Sequence, residues 1–429
     1  MSTASPYLGF FIFNQPFLLI RDLKLIKKVL ITDFDHFADR IATTSKKDTV
    51  GSKILFLLKG DEWKELRKTS SSWFSPKKLK RMVPLINEIG DNLVRHLEKH
   101  LDKDSTDCRS IGQKFAIDVM SSCAFGLEAN ALLLDDSVFV KEALKLFEVN
   151  LIRGVNIAAC LFSKRVTNLF NFTFFDVDAT TTLSKMFNNV CEDRRVSGKI
   201  RGDFIDILNK KSMHDATLSD EYLSGLAIGM LVAGNETSGS IISYILYELC
   251  RHSDVQNRLR EEVENVVKDN DGNVCYEAIN EMTYMDMVIM ESLRKYPVLG
   301  FVDRRCVKNY KIPGSDLIIE KGTPIVVPIY ALHYDERYYP DPQRFDPERF
   351  SPDNNLSIPR CAYLPFGEGM RQCVGMRLAI LTVKMCIIKS ILNFKIEICD
   401  DTPKSIKFDP ISLLLRPHNN EIKLKFVRI

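Results

Sequence analysis

Along most of the chain between Asp22 and Pro297, apolar residues return every three or four positions, the stride of helices that bury one face. The pattern predicts helices over 23–30, around Trp63, and over 79–100, 112–125, 138–147, 183–195, 219–251, 255–268 and 284–295. The front reads differently. Aromatic and branched residues at 7–13 and 17–20 flank an Asn-Gln-Pro break, which predicts two short strands around a turn. Beyond Pro297, runs at 310–314, 317–319 and 325–327 alternate with turn residues, as short strands do. A proline- and aromatic-rich meander follows at 338–350, then a long apolar helix at 376–392 and strand-like runs over 406–427. No repeat, low-complexity tract or linker interrupts this order. The expectation is one domain over residues 1–429, mainly α with a minor β lobe.

Composition changes this picture little. A hydrophobic content of 45% is ample for a core, and 59 basic against 56 acidic residues argue against a nucleic-acid partner recruited by bulk charge. The eleven cysteines are odd in number and form no C-x-x-C pair, which excludes a disulfide framework or zinc ribbon and suits a reducing compartment. No apolar window reaches 18 residues, and the best early one, 7–20, is interrupted by Asn14, Gln15 and Pro16. The expectation is therefore neither signal peptide nor membrane span. Triplets opening at Asn171, Asn235 and Asn355 match a glycosylation sequon too short to carry a role.

Candidate chemistry centres on one loop, Pro365-Phe366-Gly367-Glu368-Gly369-Met370-Arg371-Gln372-Cys373-Val374-Gly375, which delivers a cysteine to the start of an apolar helix. A thiolate ligates iron strongly in an electropositive, sheltered pocket, and Gly367, Gly369 and Gly375 free the backbone to turn N–H groups toward the sulfur. Cys373 is the candidate metal ligand, where the bland reading is one more buried cysteine. A second signal is Ala233-Gly234-Asn235-Glu236-Thr237-Ser238 in the middle of the 219–251 helix. Glycine there costs on the order of 1 kcal/mol and a threonine hydroxyl can turn onto the backbone, so the helix is expected to loosen into a groove. Glu291 and Arg294 stand one turn apart, as surface ion pairs do. Trp63 and Arg67 stand four apart, able to reach one anion. His333 reads as structural, and 269–272 as a surface turn rather than a calcium loop.

The spacing Phe-x-x-Gly-x-Arg-x-Cys-x-Gly over 366–375 resembles the cytochrome P-450 family, the haem-thiolate monooxygenases, and the likeness runs in order from Tyr7 to about Arg416. The runs at 33–40 and 303–313 are most similar to its insect microsomal, xenobiotic-metabolising branch. The resemblance implies a b-type haem with Cys373 as axial ligand to the iron. It implies that Phe366 shields the sulfur, that Arg371, Trp63, Arg67 and Arg304 meet the haem propionates, and that Ala233, Gly369 and Gly375 lie against the porphyrin. Thr237 and Glu236 would steady dioxygen and relay protons, while Glu291, Arg294 and Arg349 would hold the cysteine loop in place. The implied partners are an NADPH-dependent reductase, meeting Arg377 and Lys384, with cytochrome b5 as a second donor, a lipophilic substrate and a membrane surface. The pocket is expected near 52–58, 230–233, 299–302 and 411–414. The implied location is the cytoplasmic face of the endoplasmic reticulum membrane, with a soluble cytoplasmic location as the alternative for a chain without an anchor.

The chain departs from the family pattern at its front, which begins directly at the first strands. It also departs at Met370, Val298, Gly300 and Asn419-Asn420, where prolines or glycines are usual. Two rival functions stay open on the residues alone. One is a haem-thiolate isomerase or dehydratase that acts on peroxides without a reductase, and the other is a non-catalytic binder of haem or lipophiles.

Overall fold

The computed structural model describes residues 5–134, 136–146, 148, 150–212 and 219–429. The helical periodicity is realised as Leu23–Lys27, Gly60–Ser71, Pro76–Glu98, Cys108–Phe125, Val138–Lys145, Val177–Ser197, Asp220–Arg251, Ser253–Asp269, Thr283–Lys295 and Met376–Asn393. Phe147, the last residue of the helix expected over 138–147, lies outside the described residues. Leu151–Phe162, Lys164–Phe170 and Phe204–Ser212 are helices that the pattern does not announce. The first is apolar on nearly every side and the second spans only seven residues, so neither shows a three-four stripe.

The two front strands, Tyr7–Ile12 and Gln15–Ile20, form an antiparallel hairpin. The second runs parallel to Pro324–Val327, which in turn pairs antiparallel with Val302–Arg305. Polar Val-Asp-Arg-Arg is a strand because its partner supplies the ladder, and local composition alone would not predict it. Thr106–Asp107, Lys423–Arg428 and Phe394–Glu397 make a second small sheet. Of the strand-like 406–427 stretch, only the Lys423–Arg428 end forms a strand, while Leu414 and Phe408 make single bridges to Leu299 and Pro417.

The helix Asp220–Arg251 runs 32 residues through the core, its first turn capped by Ser219 accepting from the Tyr222 N–H. It crosses Cys108–Phe125 so closely that a Cβ on Gly112 would lie 2.5 Å from the carbonyl oxygen of Gly239. Small residues at that crossing set the depth at which the long helix is seated. The expected break at Ala233–Thr237 is absent: the helix is continuous, and the Thr237 hydroxyl donates to the Ala233 carbonyl at 2.5 Å. That bond satisfies the hydroxyl within an unbroken helix.

Candidate active site

The cysteine loop is held by backbone geometry before any side chain acts. Gly367 and Gly369 take left-handed φ values of 70° and 72°. The Cys373 N–H donates to the Phe366 carbonyl at 2.9 Å, and a short turn Gly369–Arg371 leads into Met376–Asn393. A Cβ on Gly369 would sit 2.1 Å from the carbonyl oxygen of Leu30, so this glycine is where the loop lands on the front of the chain. Gly375 is different: its φ is −90° and the nearest atom to an added Cβ is a Phe74 ring carbon at 3.9 Å. The protein itself does not require glycine there.

Arg371 clamps the loop down. Its Nε, Nη1 and Nη2 donate to the carbonyls of Ala38 (2.9 Å), Leu55 (3.2 Å) and Leu58 (3.0 Å), and its guanidinium lies 3.9 Å from the Trp63 ring centroid. The fork expected for a propionate is thus spent on backbone.

Behind the loop, the pair expected to be a surface contact is fully buried. Arg294 grips Glu291 through two bonds of 2.6 and 2.8 Å and also donates to the carbonyls of His333 and Pro342, both at 2.9 Å. Arg349 joins at 3.6 Å, and the Asp346 N–H reaches Glu291 at 2.9 Å. His333 carries this network to the loop, because its Nε2 accepts from the Leu364 N–H at 2.9 Å. The proton must then sit on Nδ1, which faces the Arg294 carbonyl at 3.1 Å. Burial depresses the His333 pKa to about 3, so the ring is neutral and this tautomer is fixed.

All these elements enclose one cavity of about 440 Å³, within the roughly 300–1,000 Å³ range of small-molecule sites. Of the eleven cysteines only Cys373 is exposed, and what it is exposed to is this cavity. Burial raises its thiol pKa, while the Gly375 N–H, Arg67 and Arg40 favour the thiolate. Phe366, Gly375, Ala233, Thr237, Trp63 and Arg67 line the same space. So do Ile54–Phe56, Met230, Leu299, Val302 and Ser412–Leu414 from the expected stretches, together with Phe174 and Phe175, which gave no sequence signal.

Three expected residues, Gly369, Arg304 and Glu236, are not on the wall. Gly369 packs behind the loop, as above. Glu236 is buried on another side of its helix, where it accepts from Arg109 and from Gln113 at 3.0 Å and forms an ion pair with Arg416, whose Nε is 2.9 Å away. A carboxylate so engaged is not presented to the cavity, which corrects the expectation of an acid beside Thr237 at the reacting centre. Lys384 is also corrected: it is buried, bonded to the Ile279 carbonyl at 3.0 Å and paired with Asp286 at 2.9 Å, so no partner protein can reach it.

One corner of the cavity, lined by Arg40 and Arg371, is strongly cationic, and Arg304 is buried behind it. Arg304 is 1% exposed, its Nη1 donates to the Asp303 carbonyl at 2.7 Å, and its Nε has no acceptor among the described residues. Burial first, then the neighbouring Arg40, lowers both Arg304 and Arg371 to about 9. Arg40 lines the cavity and pairs with Asp303 at 3.0 Å, and the sequence reading missed it as a site residue. Its only signal was its place at the end of the run 33–40. A buried guanidinium with an idle donor beside two others calls for an anion, and the haem carboxylates supply such groups. An open sulfur, an apolar wall and this corner together fit an iron porphyrin.

A cytochrome P450 family model matches residues 2–424. Cytochrome P450 6k1 of Blattella germanica is 36% identical over 449 residues, covering 100% of this chain and 86% of the relative. Cytochrome P450 6l1 of the same species is 34% identical over 99% of this chain and 84% of its own length, and cytochrome P450 6a2 of Drosophila melanogaster 33% over 96% and 84%. The fold and site define a haem-thiolate monooxygenase, with a redox partner and a lipophilic substrate typical of such enzymes. The chain belongs to the cytochrome P450 family, alongside the insect groups just named.

Proposed function

We propose that the chain inserts one oxygen atom of dioxygen into a lipophilic small molecule at a b-type haem ligated by Cys373, with electrons from an NADPH-dependent reductase and cytochrome b5 as a second donor. The observation that carries this reading is the single exposed cysteine opening onto an apolar cavity that Ala233 and Thr237 also line. Bound haem supplies the activation of dioxygen. The chain's own residues do the rest. Phe366 and Val374 keep water from the sulfur, and the Gly375 N–H stabilises its negative charge. Arg40, Arg304, Trp63 and Arg67 receive the carboxylates, while Arg371 holds the loop rigid and adds its charge to that corner. Thr237 offers a hydroxyl on the cavity wall, and Glu236 acts by fixing Arg109 and Arg416.

The electron donor docks on the cysteine side, where exposed Lys64, Lys68 and Arg377 take the role first expected of Lys384. Phe11 and Phe13 of the front hairpin and Leu151, Ile152, Leu169 and Phe170 are exposed apolar groups, and Phe17 bridges the two segments through its ring contact with Phe162 at 6.0 Å. This face meets a membrane surface, consistent with association with the endoplasmic reticulum. Among the described residues no helix is long and apolar enough to cross a membrane.

The test is a carbon-monoxide difference spectrum of the reduced chain, followed by turnover with NADPH and reductase. The strongly red-shifted band of a thiolate-ligated haem is expected, and its loss in Cys373→Ala. A wild-type chain without the band overturns the reading. Turnover of lipid hydroperoxide but none with NADPH and reductase would replace the monooxygenase by the peroxide isomerase.

A further inference from the structure

Resting on the reading of the cysteine side as the electron donor's docking face, we propose that Met370 is a peroxide-sensitive contact of that face, and that its conversion to the sulfoxide weakens donor binding. Among the described residues Met370 is the only exposed methionine, at 55%, and the others are buried or half-buried. Its exposure is to the outside. It does not line the cavity that Cys373 opens onto, and instead lines a second, outer pocket of about 280 Å³ with Trp63, Lys64, Arg67, Lys68 and Ser71. Met370 is also one of the positions where this chain departs from the family pattern, so the thioether belongs to the departure.

The side chain cannot withdraw. Gly369 before it packs against the Leu30 carbonyl, and Arg371 after it is fixed by its three bonds to the carbonyls of Ala38, Leu55 and Leu58. The Gln372 N–H closes the turn by donating to the Gly369 carbonyl at 3.0 Å. Met370 is thus displayed at a fixed point of the cysteine loop, beside exposed Lys64 and Lys68 and half-buried Arg67. Exposure selects which methionines oxidise, and oxidation turns an apolar thioether into a polar sulfoxide. The co-reactant is hydrogen peroxide. A sulfur lone pair attacks one peroxide oxygen, the S–O bond forms as the O–O bond breaks, and the proton of the attacked oxygen passes to the departing hydroxide, giving water. Sulfur loses the two electrons that the peroxide gains. The sulfoxide oxygen is a hydrogen-bond acceptor set among three cations, so it competes for the donors that an acidic partner surface must engage. An apolar contact is lost at the same time.

The test treats the haem-loaded chain with limiting hydrogen peroxide and removes the excess. Peptide masses, the carbon-monoxide band and turnover per retained haem against reductase concentration are then read. One oxygen should appear on Met370 ahead of every other methionine. The KM for reductase should rise about two- to fivefold at unchanged kcat, and methionine sulfoxide reductase should restore it. Met370→Leu should be insensitive to the treatment, which separates this effect from damage to haem or thiols. Met370→Gln, polar from the start, should show a raised KM without peroxide. Oxidation of other methionines first, an unchanged KM when Met370 carries the oxygen, or a rise that persists in Met370→Leu would each overturn the proposal. Lys68→Glu tells the two readings apart. If it raises KM while the sulfoxide does not, the docking face stands and the role of Met370 falls; if neither raises KM, the docking face falls with it.

Discussion

Replacing Gly369 by alanine should uncouple the cysteine loop from the body of the protein, whereas the same change at Gly375 should not. At Gly369 two costs add. The residue sits at φ 72°, a left-handed conformation that costs an alanine roughly 1 kcal/mol. Its new Cβ would also lie 2.1 Å from the Leu30 carbonyl oxygen, and that contact must open to at least 3.0 Å, the limit for real Cβ atoms. The obstacle is backbone inside the turn Lys28–Thr32, with Leu30 itself fully buried, so no rotamer change relieves it. Overpacking of this kind adds about 1–3 kcal/mol, giving roughly 2–4 kcal/mol in all. The displacement falls two residues from Arg371 and four from Cys373. At Gly375, φ is −90° and the nearest atom is 3.9 Å away, so alanine should change the stability of the haem-free chain by less than about 0.5 kcal/mol. Its effect should appear only as weakened haem retention, because the added methyl enters the cavity. Urea unfolding of the haem-free chains and haem transfer to apomyoglobin read the two effects separately. A Gly369→Ala chain that unfolds with the wild-type midpoint would refute the landing-point argument, and an unfolding loss at Gly375→Ala equal to that at Gly369 would refute the contrast.

Other consequences can be measured directly. His333 is neutral in the fold, with its pKa lowered from 6.5 to about 3, so the unfolded chain binds the extra proton. The stability this group supports is intact above pH 6.5 and is lost as pH falls toward 3, by about 1.4 kcal/mol per unit. Urea midpoints from pH 7 to 4 should show that slope, and His333→Gln should flatten it; parallel profiles would count against a ring held neutral by burial. Glu291→Gln leaves Arg294 buried without its bidentate partner and should cost about 3–5 kcal/mol in equilibrium unfolding, whereas a surface pair would cost under about 1. Lys384→Ala should lower the melting temperature with reductase affinity unchanged, and Arg377→Glu should raise the KM for reductase with melting unchanged. The opposite pattern would return Lys384 to the docking surface.

The cysteine loop was legible because its information is local. Two glycines, an arginine and a cysteine at fixed spacing state a backbone path and a thiol at its end, and the structure needs a positive φ at Gly367 and Gly369. The long helices were legible for a similar reason, since a buried face repeats every turn. Val302–Arg305 was not, because it is a strand through its partners Pro324–Val327 rather than through its own residues. The true depth of Glu291 and Arg294 was equally hidden. Their spacing looks the same on a surface, and only the carbonyls of His333 and Pro342, far along the chain, mark them as interior.

Glu236 shows where motif reading reaches its limit. Adjacent residues on a helix differ by about 100° in direction, so a carboxylate beside Thr237 in sequence faces a different neighbour in space. Which neighbour it faces is decided by Arg109, 127 positions earlier, and by Arg416, on the segment that closes the cavity. An acid held by two guanidiniums can reach the cavity only if one of them lets go, and of the two Arg416 is the one already on the cavity wall. The role this geometry assigns to Glu236 is that of an anchor, so Glu236→Gln should leave Arg109 and Arg416 without their shared acid and cost about 3–5 kcal/mol in urea unfolding. A Glu236→Gln chain that unfolds with the wild-type midpoint would refute that role.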